Sequence, residues 1–137
     1  MFELPFVSRI VDGIHSRRPG LPVYLHTCGA IGDRLYLMEA TGVDGIDTLD
    51  PPPLGIIEPS EALDVLGKRL FIKGNVDPVH TVLSGTPDEV RRAASQRLEL
   101  AAPGGYYILS TACSVPSATP LRTSWPWGRP ARHSKAR

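Results

Sequence analysis

Four short apolar runs, each of strand length and each followed by a break and a segment of helical spacing, constrain this chain more than any other feature. The runs are Val23–Leu25, Val43–Leu49, Arg69–Lys73 and Tyr106–Ser110. Between them, Ile31–Ala40 places Ile31, Leu35 and Met38 on one helical face. Ser60–Leu66 reads as a short helix with Ser60 as its cap. Thr86–Leu100 is the best marked: Thr86 suits the N-cap, Pro87 the first helical position, and Glu89 completes a capping box. Residues 4–17 add a leading helix, weakened by Gly13. Tyr36 and Met38 read as helix packing. Strands that alternate with helices argue for a parallel sheet with crossover helices.

The sequence lacks the glycine fingerprint of dinucleotide folds after its first strand, and it lacks a Gly-Lys-Ser/Thr phosphate loop. The remaining common parallel architecture is the (β/α)8 TIM barrel, whose active residues sit at the C-terminal ends of the strands. The polar residues here obey that rule. His26 and Cys28 follow the first strand, Asp47 and Asp50 end the second, Asn75 and Asp77 follow the third, and Cys113 follows the fourth.

In "VYLHTCGAIG", His26 and Cys28 are two residues apart, so on extended chain both point the same way. Gly29 then lets the backbone turn. Cys113 joins them if its strand end comes close. Two thiolates and an imidazole suit zinc with a fourth position open, the pattern of a catalytic rather than a structural site. The spacing alone also fits an ordinary alternative, since a free cysteine commonly serves as a small buried hydrophobe. From spacing alone, Asp47, Asp50 and Asp77 read more readily as turn or cap residues. His15, His80 and His133 show no partner pattern and read as surface residues.

Composition narrows the setting. The chain has 137 residues, 42% of them hydrophobic, in the size range of one domain. No apolar run approaches the roughly 18 residues of a membrane span, and the N-terminus lacks the layout of a secretory signal. Two cysteines do not make a disulfide framework, so a cytoplasmic setting is expected. All 14 acidic residues precede position 100, whereas residues 122–137 hold five basic residues and no acid. The body is therefore mildly acidic, with neither nucleic acid nor membrane expected as a partner.

The stretches "LHTCG", "GVDGID", "IKGNVDP", "LSGTPDEV" and "GGYYILSTACSVPSATP" together resemble the C-terminal half of the uroporphyrinogen decarboxylase (URO-D) superfamily. The match runs from about residue 4 to residue 121. The resemblance implies the last four strands of a (β/α)8 barrel, truncated, over residues 1–121. That superfamily holds the decarboxylases of porphyrin and haem biosynthesis. It also holds zinc-dependent methyltransferases of the methylcobamide:coenzyme M type. The latter carry His-x-Cys and a distant Cys as zinc ligands, which map onto His26, Cys28 and Cys113. The decarboxylases lack that pair and place a histidine in a "GHGI" loop where this chain reads "ACSV". The implied activity is methyl transfer from a corrinoid, on a partner protein, to a small thiol held on zinc. In that reading Asp47 or Asn75 orients substrate or ligands. Uroporphyrinogen decarboxylase proper, with a tetrapyrrole substrate, is the first alternative. An inactive remnant or split-barrel half is the second. A half-barrel leaves two open edges and an uncovered inner face, and would take a missing N-terminal half-barrel or a second copy as its partner.

The family continues from "TP" into a helix, but this chain reads "TPLRTSWPWGRPARHSKAR". Arg-Thr-Ser-Trp-Pro-Trp-Gly can be encoded so that restoring one G yields Glu-Asn-Val-Leu-Ala-Met-Gly. The repaired "TPLENVLAMG" repeats the Thr-Pro-x-Glu logic of residues 86–89. Residues 122–137 therefore read as an aberrant, frameshifted tail that is expected to be poorly ordered.

Overall fold

The computed structural model describes residues 3–67 and 69–124. Among the described residues, five helices and four strands run in the order α1 (Leu4–Arg17), β1 (Tyr24–Thr27), α2 (Leu35–Ala40), β2 (Gly45–Thr48), α3 (Pro59–Leu66), β3 (Phe71–Val76), α4 (Pro87–Ala101), β4 (Tyr107–Thr111) and α5 (Leu121–Ser124). Short 3₁₀ turns precede α2 and follow α4, and a π-helical turn, Pro78–Leu83, follows β3. All four strands are parallel, and their order in the sheet is their order in the chain.

Each strand starts one or two residues later than the apolar runs suggest. β1, β3 and β4 also run past the ends of their apolar runs, because ladder hydrogen bonds belong to the backbone and continue beneath polar side chains. The expected helix over 4–17 forms in full. α3, in contrast, is not capped by Ser60. It begins at Pro59, and the Glu58 N–H donates to the Glu61 carboxylate at 3.1 Å. At α4 the capping box is present: the Thr86 N–H donates to Glu89 Oε2 at 2.7 Å, and the Glu89 N–H to Thr86 Oγ1 at 3.3 Å.

Register divides the sheet into two faces. Leu25, Ile46, Ile72 and Tyr107 are aligned across all four strands. Ile46 and Ile72 are fully buried, and this row packs with Val11, Leu35, Ala62 and Leu66 of the first three helices. The next row, His26, Asp47, Lys73 and Ile108, alternates to the opposite face. That inner face is open: Tyr24 and Ile108 remain about half exposed, at 47% and 48%.

Met38 packs against the core as expected, but Tyr36 points outward at 61% exposure. His15 is not partnerless. Its Nε2 lies 3.0 Å from Asp44 Oδ2, which also accepts the Val23 N–H at 2.7 Å, so the pair ties α1 to the start of the sheet. His80 is exposed but sits 2.8 Å from Asp77. His133 lies outside the described residues.

Asp77 caps the π-helical turn, accepting the Val79 and His80 N–H groups at 2.7 and 2.8 Å. Desolvation pushes its carboxyl up, but the bonds from the His80 side chain and from the two backbone amides outweigh this and hold it below its ordinary value of 3.8. A folded pKa lower than the unfolded one means stabilisation that is complete above the unfolded value and lost as pH falls through the folded one. Asp77→Ala is thus expected to cost about 1 kcal/mol at neutral pH. Urea unfolding should show the wild type and this variant converging in acid, below the ordinary carboxylate range.

Candidate functional site

The site lies at the C-terminal end of the strands on the inner face. Alternation along β1 sends Tyr24 and His26 to that face while Leu25 enters the core. Cys28 follows, and Gly29 turns the chain with φ +82°, a backbone conformation that L side chains rarely adopt. The Gly29 N–H donates to Asp50 Oδ2 at 2.5 Å, which fastens the loop after β1 to the loop after β2. Asp50 thereby acts as a loop tie.

Cys113 arrives two residues beyond the end of β4. Its Sγ lies 4.0 Å from His26 Nε2, and Cys28 Sγ lies 3.4 Å from the same nitrogen. All three ligand atoms fall within 4.8 Å of one another, and both cysteines are free. Among the described residues, this is the group of His, Cys and carboxylate side chains that could hold a metal ion. The chemistry of the donor set fits zinc. Tetrahedral zinc bonds of about 2.0–2.1 Å to nitrogen and about 2.3 Å to sulfur put ligand atoms roughly 3.5–4 Å apart, so small side-chain adjustments would close the set.

The imidazole is held from its other side. His26 Nδ1 lies 3.1 Å from Asp47 Oδ2, and the Lys73 ammonium donates to Asp47 Oδ1 at 2.7 Å. Nε2 faces the two sulfurs, and a neutral imidazole that gives Nδ1–H to the carboxylate would keep its lone pair there. Thr48 Oγ1 lies 3.0 Å from Nδ1 and 3.4 Å from Nε2, so it rests against the ring rather than along one N–H. Thr48 follows Asp47 directly, and regular alternation would turn it away. Its φ of +96° breaks the alternation and brings both residues to the imidazole.

Charge follows from this arrangement. Burial pushes the Asp47 carboxyl up, but the bonds from Lys73 and then His26 outweigh it and hold the group below the usual carboxylate range. Desolvation, then the adjoining Cys113 sulfur and the Asp50 and Asp47 carboxylates, push the Cys28 thiol up. An ion binding here would have to displace thiol protons.

Asn75 stands apart from the cluster. It is fully buried, its Nδ2 donates to the Leu49 carbonyl at 2.8 Å, and its Oδ1 has no partner among the described residues. Lys73 and Thr48 are the site residues the sequence did not single out. Lys73 is a charged side chain within an apolar strand, which was the available signal. Thr48 had none, because a reversed φ at a β-branched residue leaves no mark in composition. A cleft of about 280 Å³ adjoins the cluster, lined by His26, Asp47, Lys73 and Cys113 together with Ser110, Thr111, Ser114 and Val115.

Known proteins share this framework. The chain is 33% identical over 119 residues to methylcobamide:CoM methyltransferase MtbA of Methanosarcina acetivorans, covering 87% of this chain and 32% of that protein. It is 29% identical over 120 residues to uroporphyrinogen decarboxylase of Picosynechococcus sp., covering 88% of this chain and 32% of that protein. It therefore spans about one third of the length of these relatives. A solved structure, a methyltransferase from Methanosarcina mazei, superposes with a TM-score of 0.74 at 23% identity, over 90% of this chain and 33% of that one. The four parallel strands with their helices thus match part of a TIM barrel. A model of the uroporphyrinogen decarboxylase (URO-D) family matches residues 1–124, and with that match the chain belongs to this family.

Proposed function

We propose that this chain is the metal-holding part of a barrel that moves a methyl group from a corrinoid, carried by a partner protein in the cytoplasm, to a small thiol. The observation that carries the reading is the meeting of His26 Nε2, Cys28 Sγ and Cys113 Sγ within 4.8 Å, from residues up to 87 positions apart. When bound by these three donors, zinc would supply Lewis acidity that lowers the pKa of an incoming thiol. The chain's own residues do the rest. Asp47 holds the His26 ring from its Nδ1 side, with Nε2 turned to the two sulfurs. The cavity beside Cys113 has room for a small substrate, and its hydroxyls suit a polar one. Asn75 keeps the loop after β2 in place through Leu49. Kinship with the methyltransferase MtbA supports the reading.

Uroporphyrinogen decarboxylase proper is the second reading, supported by relatives of that name at similar identity. It requires no metal at these three residues, whereas the methyl transfer proposed here uses one. Zinc analysis of the purified chain is expected to return about one ion per molecule, with Cys28→Ser and Cys113→Ser each abolishing stoichiometric binding. A folded, metal-free chain whose zinc uptake is unaffected by either variant would remove the methyltransferase reading.

The frameshift proposal for residues 122–137 is supported by the residues just before them. Thr119 Oγ1 is buried without a partner among the described residues, whereas Thr86, in the same Thr-Pro context, is bonded to Glu89. The position three residues on holds Arg122 instead of Glu, and α5 begins one residue later than its counterpart. Residues 125–137 lie outside the described residues. Arg122→Glu should complete the box and raise stability by about 0.5–1 kcal/mol in urea unfolding. Codons incompatible with the one-base shift would exclude the proposal.

A further inference from the structure

Lys73 has no place in the ligand set, yet residues of two neighbouring strands on the inner face converge on it. It stands in the same cross-strand row as His26 and Asp47, one residue on each of β1, β2 and β3. Its Nζ donates to Asp47 Oδ1 at 2.7 Å and lies 5.8 Å from the centre of the Tyr24 ring. That distance is within cation–π range, and the ring face draws the ammonium toward β1. The Tyr24 ring is itself braced edge-to-face on Phe71, with centroids 5.9 Å apart. The two rings meet because Gly45, between them in register, has no side chain. A Cβ there would fall 2.5 Å from the Phe71 ring.

We infer that Lys73 is a positioning residue: braced on Tyr24, it pins the Asp47 carboxylate, which fixes the His26 imidazole with Nδ1 protonated and Nε2 presented to the metal. The inference rests on the metal reading above for its consequence, but not for its test. Asp47 has two oxygens, and each has one cationic or N–H partner on a neighbouring strand. Without Lys73 the carboxylate could rotate, and its anion would stand uncompensated beside the two cysteine sulfurs. With Lys73 it accepts one hydrogen bond per oxygen and contributes no net charge together with its partner. This is the outer support that a metal-bound histidine ordinarily receives, extended by one residue.

The experiment compares the wild-type chain with Lys73→Met and Lys73→Arg. In the metal-free proteins at about pH 8, above the usual imidazole range, ¹⁵N spectra report which His26 nitrogen carries the proton. Wild type is expected to show the Nδ1–H form. K73M should shift toward the Nε2–H form that imidazole prefers in water, and K73R should return to the wild-type pattern. Zinc affinity, read by competition with a chelator, should fall about tenfold in K73M and recover in K73R, with the far-UV circular dichroism of all three unchanged. Identical ring signals in wild type and K73M overturn the inference whether or not zinc binds, and so does equal zinc affinity. If the wild type itself takes up no zinc, the metal reading fails, while the ring signals still decide for or against Lys73.

Discussion

In a parallel sheet, residues paired in register stand about 4.8 Å apart on neighbouring strands and send their side chains to the same face. The site depends on that geometry. With Leu25, Ile46 and Ile72 committed to the helix-covered face, the residues that follow them, His26, Asp47 and Lys73, must appear side by side on the other face. A slip of one residue in any pairing would bury a charge and expose an aliphatic chain. The apolar core therefore does more than stabilise the sheet. It sets the phase that brings an imidazole, a carboxylate and an ammonium into one line.

The apolar runs carried the fold class, because alternation of strand-length and helix-length segments survives in composition. The helix start at Thr86 was legible because a Thr-Pro-x-Glu box is a local code, satisfied within four residues. The start of α3 was misread, because Glu58 is an unusual cap and the more ordinary Ser60 stood nearby. Tyr36 was misread in a similar way: one hydrophobic side chain at helical spacing does not reveal which face it takes. The meeting of His26 with Cys28 was visible as a spacing of two residues. The partners supplied by other strands were not visible, since register is decided by the whole sheet and not by any segment of it. That is why spacing shows Asp47 only as a strand-end carboxylate, its orienting role coming from the family resemblance, and why Lys73 and His15 carry no partner signal, although each of the three has a partner more than 20 residues away.

Family membership and local geometry answer different questions. The family model and the superposition establish which barrel these strands resemble, and relatives with two different named activities share that barrel at similar identity. In the function proposed above, the choice between those activities is argued from a few atoms at the strand ends. Two sulfurs and one nitrogen brought together offer soft donors to a metal. A loop carrying a single histidine in place of Cys113 would not offer the same set. The function on this fold is thus argued from its site and not from its shape.

Gly45 has a consequence out of proportion to its size. It is the notch in which Phe71 lies flat enough to meet Tyr24. Adding one methyl group there would lift the phenylalanine, tilt the tyrosine and withdraw the aromatic cushion from under an ammonium two residues further along the neighbouring strands. A site of this kind can be detuned from below, by a residue that touches neither ion nor substrate. An inventory of ligands would pass over that residue entirely.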